Sequence, residues 1–127
     1  MSLCIYGRIE KEIFDENTLE PYINEYFSKN CEIIKKDNGK AYEIKKGENS
    51  TILSFISEKK YPYNVYESDI AKGDFEYRQL LVFDLEKEAA SSKAYKEIID
   101  FLGFLFEKTK SRILVTSDAH DEICFLG

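Results

Sequence analysis

The chain has 127 residues, 43% hydrophobic and 33% charged, so it can form one core and is too apolar for a disordered polyelectrolyte. Lysine and arginine number 18 against 24 aspartate and glutamate, which gives a formal net charge of −6. This acidity argues against general nucleic-acid binding, because a nucleic-acid-binding face must be positive to replace counterions. We expect one domain over residues 1–127 and no nucleic-acid partner.

The N-terminal half predicts a strand, a helix and a three-stranded meander. Residues 3–9 are rich in β-branched and aromatic side chains, as strands are. A helix follows Asn17, a predicted N-cap, because apolar side chains then recur with helical spacing at Leu19, Tyr22, Ile23, Tyr26 and Phe27. Three short polar-apolar segments, joined by turns at Asn38-Gly39 and Gly47, predict consecutive antiparallel strands up to residue 57.

The C-terminal half predicts an irregular segment at 61–76, a strand at 77–85 and a helix at 91–110, followed by strands at 113–117 and 123–126. The apolar run at 80–83 is typical of a central strand covered on both faces. The helix has a wide apolar stripe, and Gly103 within it predicts close approach of a neighbour.

These elements define the predicted fold. Their order is β-α-β-β-β-β-α-β-β, with two helices and about six strands. We predict an α+β fold in which a mainly antiparallel sheet carries both helices on one face.

Three cysteines, Cys4, Cys31 and Cys124, lie far apart and form no Cys-x-x-Cys pair. Their odd number favours reduced, partly buried thiols in a cytoplasmic protein. No apolar run approaches the ~18–20 residues that span a bilayer, and no secretory signal is visible. We therefore expect no membrane contact.

The sequence lacks a phosphate-binding glycine loop, a nucleophile elbow and a metalloprotease motif, and it has a single histidine. The densest polar cluster groups that histidine, His120, with Asp118 and Asp121. A carboxylate beside an imidazole could orient a general base or hold a divalent metal, so these three residues are the catalytic candidates of a small hydrolase or metal-dependent enzyme. Short polar turns between strands have the same composition, and this is the preferred interpretation. We expect no cofactor and no metal site.

The segment at 61–69 predicts a partner-binding surface. It places Tyr61, Tyr63 and Tyr66 within six residues, and tyrosine offers a large contact area with a hydroxyl at its tip. Negative side chains surround these rings; they are Glu67, Asp69, Asp74 and Glu76. An aromatic surface ringed by carboxylates suits a basic protein partner. The alternative is that the tyrosines pack under a loop beside the core.

These features favour a non-enzymatic protein-binding module that blocks a basic surface of a partner, such as the active site of a nuclease. Bacterial immunity proteins and antitoxins work in this general way, although no motif in the sequence identifies such a family. Two alternatives remain: the small enzyme at residues 118–121, and a ligand sensor with a cavity between the helix at 91–110 and the sheet.

Overall fold

The computed structural model describes residues 3–15, 17–57, 64–85, 92–118 and 122–127. Within these ranges the strands, numbered in chain order, are β1 (Leu3–Ile9), β2 (Glu32–Lys36), β3 (Ala41–Lys46), β4 (Asn49–Ser57), β5 (Asn64–Ser68), β6 (Gly73–Tyr77), β7 (Gln79–Leu85), β8 (Ile113–Ser117) and β9 (Cys124–Leu126). The helices are α1 (Glu20–Phe27) and α2 (Ser92–Thr109), and a short 3₁₀ turn (Asp37–Gly39) joins β2 to β3.

Seven of the strands form one antiparallel sheet in the spatial order β2-β3-β4-β7-β1-β8-β9. Strand β7 lies at its centre, and its side chains alternate between the two faces. Leu81, Phe83 and Leu85 are fully buried, whereas Leu80 and Val82 are only partly buried on the opposite face. The central position of this strand is confirmed, but its second face is less completely covered than the apolar run predicts.

Helix α1 begins two residues later than a cap at Asn17 would place it. Leu19 occupies the N-cap position and makes no side-chain capping bond. The carboxylate of Asp15 instead accepts hydrogen bonds from the backbone N–H groups of Asn17 and Thr18. The prediction for Asn17 is wrong because Asp15 closes a turn ahead of the helix and satisfies those donors there.

Helix α2 crosses the sheet above β1. It connects β7 to β8, and these two strands flank β1 on either side. At the crossing, a Cβ atom added to Gly7 would lie 2.8 Å from a methyl carbon of Leu102. Gly103 has no such neighbour among the described residues within 4 Å of its added Cβ. The close approach predicted at Gly103 therefore occurs at Gly7, on the strand beneath the helix.

Both helices pack on the same face of the sheet, as predicted. Ile23 and Phe27 of α1 and Phe101 and Leu102 of α2 belong to one buried cluster with the inward side chains of β1, β3, β4, β7 and β8. The ring of Phe101 joins the two helices and the sheet, because it contacts Phe27 at 4.8 Å and Phe83 at 6.1 Å between centroids. The α+β class and its antiparallel sheet are confirmed, with seven strands in place of about six.

The segment predicted to be irregular contains a hairpin. β5 and β6 pair in antiparallel register and form a separate two-stranded sheet, called the hairpin below. Its turn uses left-handed backbone at Lys72 (φ 59°) and a positive φ of 140° at Gly73. The irregular assignment is wrong for residues 64–68 and 73–76, and Tyr77, predicted to open the next strand, is instead the last residue of β6.

No helix in the described part of the chain is long and apolar enough to cross a membrane.

Candidate functional site

The hairpin lies on the face of the main sheet opposite the helices and is attached there through Arg8 of β1. The guanidinium carbon of Arg8 lies 4.5 Å from the ring centroid of Tyr66, 5.0 Å from that of Tyr77 and 5.6 Å from that of Tyr6. The same side chain donates a hydrogen bond of 2.8 Å from Nη1 to the hydroxyl of Tyr77. Cation–π contacts of this kind are worth about 0.5–2 kcal/mol each. Arg8 therefore ties both hairpin strands to the sheet.

A second attachment lies near β9. Phe75 is the buried aromatic side chain of the hairpin, at 3% exposure, and its ring meets that of Phe125 edge to face at 5.7 Å between centroids. The guanidinium of Arg112 lies 5.8 Å from each of these two rings. Arg112 also donates hydrogen bonds to Glu10, and this interaction lowers the pKa of the Glu10 carboxyl.

A third attachment holds the end of β5. The hydroxyl of Ser68 donates a hydrogen bond to one carboxylate oxygen of Glu122, and the backbone N–H of Asp69 donates to the other at 3.2 Å. Ser68 is 3% exposed, its hydrogen bond to Glu122 is partly buried, and that of the Asp69 N–H is exposed. The hairpin is thus fixed at three points, and its outer surface is held in one orientation.

The outer surface of the hairpin is acidic. Side chains that point away from the main sheet are exposed, and Glu67 and Asp74 lie directly opposite each other in the register of β5 and β6. Glu76 follows on the same side, and Asp69 is exposed in the turn. None of these four carboxylates, called the acidic face below, forms an ion pair with any lysine or arginine in the described ranges.

Two apolar side chains border the acidic face. Val65, which lies opposite Glu76, is 50% exposed, and Ile70 in the turn is 42% exposed. The outer surface of the hairpin therefore combines carboxylates with two isolated apolar groups.

The structure separates the residues predicted to bind a partner. It brings Glu67, Asp69, Asp74 and Glu76 together on one exposed surface. Tyr66 instead points inward, is half-buried and stacks on Arg8, so it supports the surface from beneath. Tyr61 and Tyr63 lie outside the described residues.

The candidate catalytic cluster is described only at Asp118, because His120 and Asp121 lie outside the described residues. One oxygen of Asp118 accepts a hydrogen bond of 2.8 Å from the hydroxyl of Tyr6, and the other accepts one of 3.2 Å from the backbone N–H of Cys4. The hydrogen bond to Asp118, with burial, raises the pKa of Tyr6 to about 12. The described contacts of Asp118 therefore join β1 to the end of β8.

The described ranges contain no arrangement of cysteines and carboxylates that could bind a metal. No group of three or more histidine, cysteine, aspartate or glutamate side chains there could hold an ion. Cys4, Cys31 and Cys124 are free and partly buried, and burial raises the pKa of each thiol. The prediction of partly buried, unpaired thiols is confirmed.

A cavity of about 200 Å³ lies on the helix side of the sheet. It is bounded by α2, the end of α1 and strands β3, β4 and β7. The sequence placed a possible ligand site between the second helix and the sheet, and this is where the cavity occurs.

Three structural features of the hairpin were not predicted from the sequence. These are the role of Arg8, the burial of Phe75 and the opposition of Glu67 to Asp74. One signal was present, since Lys72-Gly73 marks a turn and residues 74–77 after it alternate between polar and apolar side chains. The position of Arg8 had no local signal, because it meets the hairpin across almost half of the chain.

Comparisons of the chain with protein-family models, curated proteins and solved structures find no match.

Proposed function

We propose that this protein is a non-enzymatic binding module that uses the acidic face to cover a basic surface of a protein partner. The observation that carries the proposal is the pairing of Glu67 with Asp74, two exposed carboxylates that lie directly opposite each other and form no ion pair with a lysine or arginine of the described ranges.

The pairing of these carboxylates is unfavourable for the isolated fold. Directly opposed like charges destabilise a pair of strands, whereas opposite charges stabilise it, and the range for such pairs is roughly 0.2–1 kcal/mol. A lysine at either position would make the hairpin more stable, because it would place opposite charges across the strand pair. A cationic partner would turn the repulsion into attraction, and this supports a role in binding.

The attachment of the hairpin supports the same role. Arg8, Phe75 and Glu122 hold the acidic face in place before any partner arrives. A preorganised surface loses less conformational entropy on binding than a mobile one. Val65 and Ile70 add apolar contact area at its border.

We also propose how the protein acts on its partner and in which compartment. Covering a basic surface of a nuclease would be an immunity-protein-like or antitoxin-like mode of action, and a net charge of −6 speeds encounter with such a surface. Tyr61 and Tyr63 remain part of the proposed contact. We propose a cytoplasmic location, since three unpaired thiols are stable in a reducing compartment.

Affinity capture with matched charge variants tests the proposal. Immobilised wild type and the Glu67→Lys/Asp74→Lys double variant are compared on lysate of the native host. The control is Glu32→Lys/Glu48→Lys, which makes the same change in net charge at exposed positions on the β2–β4 side of the sheet. We expect a basic protein that is retained by wild type and control and lost by the hairpin variant.

The captured protein is then purified and its affinity is measured by calorimetry. We expect at least about tenfold weaker binding for the hairpin variant, because each reversed charge now faces like charge on the partner. Failure of wild type to retain any basic protein, or equal affinity of the two double variants, would show that the acidic face is not the binding surface.

A further inference from the structure

The cavity on the helix side of the sheet has an apolar interior. Its inner walls are the side chains of Phe27, Ile44, Phe83 and Ile98, all of which are less than 7% exposed. Ala94 of α2 forms part of the wall with its single methyl group. The interior therefore offers two aromatic rings and aliphatic carbon to whatever enters it.

The size of the cavity limits its occupant. It measures about 200 Å³. An apolar protein cavity of about 150 Å³ holds benzene, so this one has room for a molecule slightly larger than a single six-membered ring. A drug-sized ligand or a long acyl chain would have to extend out of the cavity into solvent.

The polar side chains of the cavity carry no net charge. Lys46 and Glu97 face each other with 3.7 Å between Nζ and Oε2, and both are partly exposed. Asn49 and Thr51 add an amide and a hydroxyl, which can each donate and accept a hydrogen bond. A charged ligand would be attracted by one member of the ion pair and repelled by the other, whereas a neutral one leaves the pair intact.

We infer that this cavity binds a neutral, compact aromatic molecule with one hydrogen-bonding group, of the size of indole or a phenol. The ring lies between Phe27 and Phe83, where aromatic side chains favour edge-to-face or offset contacts. Its polar group faces Asn49 and Thr51. The site is separate from the acidic face, because the hairpin lies on the other side of the sheet.

The thiol of Cys31 also lines the cavity, so its reactivity can be used to detect a bound ligand. Burial and the charge of Glu97 raise its pKa, and Lys46 opposes them. The thiol is thus mostly protonated and adds a small, soft contact to the wall. A bound ring beside it shields it from reagents in solution.

Indole is the probe for the test. In protein carrying ¹³C-labelled isoleucine methyl groups, indole is titrated while the signals of Ile44 and Ile98 are followed, with Ile56 on the opposite face as an internal control. We expect saturable shifts at Ile44 and Ile98 and none at Ile56. We also expect indole to slow the reaction of Cys31 with a thiol reagent.

Two variants distinguish binding of indole inside the cavity from nonspecific binding elsewhere on the protein. Ala94→Phe fills the space, and we expect at least about tenfold weaker binding because the interior is close-packed. Ala94→Ser leaves the space open and is expected to bind as wild type does. If Ala94→Phe fails to fold, the wild-type titration and the ligand series below decide the question.

The ligand series tests the chemical class. Indole-3-carboxylate and tryptamine carry the same ring with a negative and a positive charge. We expect both to bind at least about tenfold more weakly than indole, because a charge that leaves water without a dedicated partner carries a large penalty. Absence of saturable shifts with indole, equal binding by Ala94→Phe, or tighter binding of either charged analogue would overturn the inference.

Discussion

The hydroxyl of Tyr6 has a strongly raised pKa because of its contact with Asp118. The hydrogen bond from the Tyr6 hydroxyl to the carboxylate stabilises the protonated phenol and raises its pKa to about 12. A pKa raised in the folded state means that the contact stabilises the fold fully below pH 10, the ordinary value for tyrosine. This stabilisation is lost as the pH rises through about 12.

Substitution Asp118→Asn should lower the pKa of Tyr6 from about 12 toward 10, because the hydrogen bond then ends on an uncharged oxygen. The measurement is a pH titration of the Tyr6 ring carbon Cζ by ¹³C NMR. The control is Asp84→Asn, which removes a carboxylate opposite Cys4 that is not bonded to Tyr6. An unchanged pKa in Asp118→Asn, or an equal fall in the control, would show that the contact is absent in solution.

Single residues also show where sequence reasoning succeeds. The stripe that includes Ile98, Leu102 and Leu105 predicts a buried helix face, and all three side chains are buried because helical periodicity is a local property. The close approach predicted at Gly103 is wrong, because the presence of a glycine in the sequence does not show whether a neighbouring residue packs against it. Gly7 has the close neighbour because α2 crosses β1, and that crossing depends on topology.

At the scale of elements, the packing of α2 on β1 gives a pair of opposite predictions. Gly7→Ala should destabilise the protein by roughly 1–3 kcal/mol, because its new methyl overlaps Leu102 in a packed core. Gly103→Ala should stabilise it by about 1 kcal/mol, because alanine favours the helix and meets no atom of the described residues. Urea denaturation measures both. Equal effects of the two substitutions would contradict the crossing described here.

The attachment of the hairpin is the second prediction at this scale. Arg8→Lys keeps the charge but loses the planar group that stacks on Tyr66 and Tyr77. We expect backbone amides of β5 and β6 to exchange roughly tenfold faster with solvent, while those of β4 and β7 stay unchanged. Hydrogen exchange followed by mass spectrometry reports both sets in one experiment. Uniform acceleration across the chain would mean that Arg8 supports the whole fold rather than the hairpin.

The hairpin also marks the limit of prediction from the sequence. Its outward residues include the apolar Val65 and its inward residues include the polar Ser68, so the alternation that announces a strand is blurred. Ser68 is buried because Glu122 meets it from a distant part of the chain. The sequence predicts the acidic residues of this surface. Their register and the inward orientation of Tyr66 depend on the pairing of β5 with β6, which the composition does not reveal.

At the scale of the whole molecule, the sheet separates two functions that we propose. One face carries the helices, the core and a small cavity, and the other carries an acidic surface on a fixed hairpin. Like charges on the acidic face repel one another in the isolated fold, and we propose that partner binding is the reason for them. Stability and binding should therefore move in opposite directions when that surface is neutralised.

Asp74→Lys tests this claim most directly, with melting temperature and partner affinity measured on the same preparation. We expect a rise of roughly 1–5 °C, because an opposite charge replaces the like charge facing Glu67. For the same variant we expect at least about tenfold weaker binding of the captured basic protein. A lower melting temperature together with unchanged affinity would show that the carboxylate serves the fold and that the binding surface lies elsewhere.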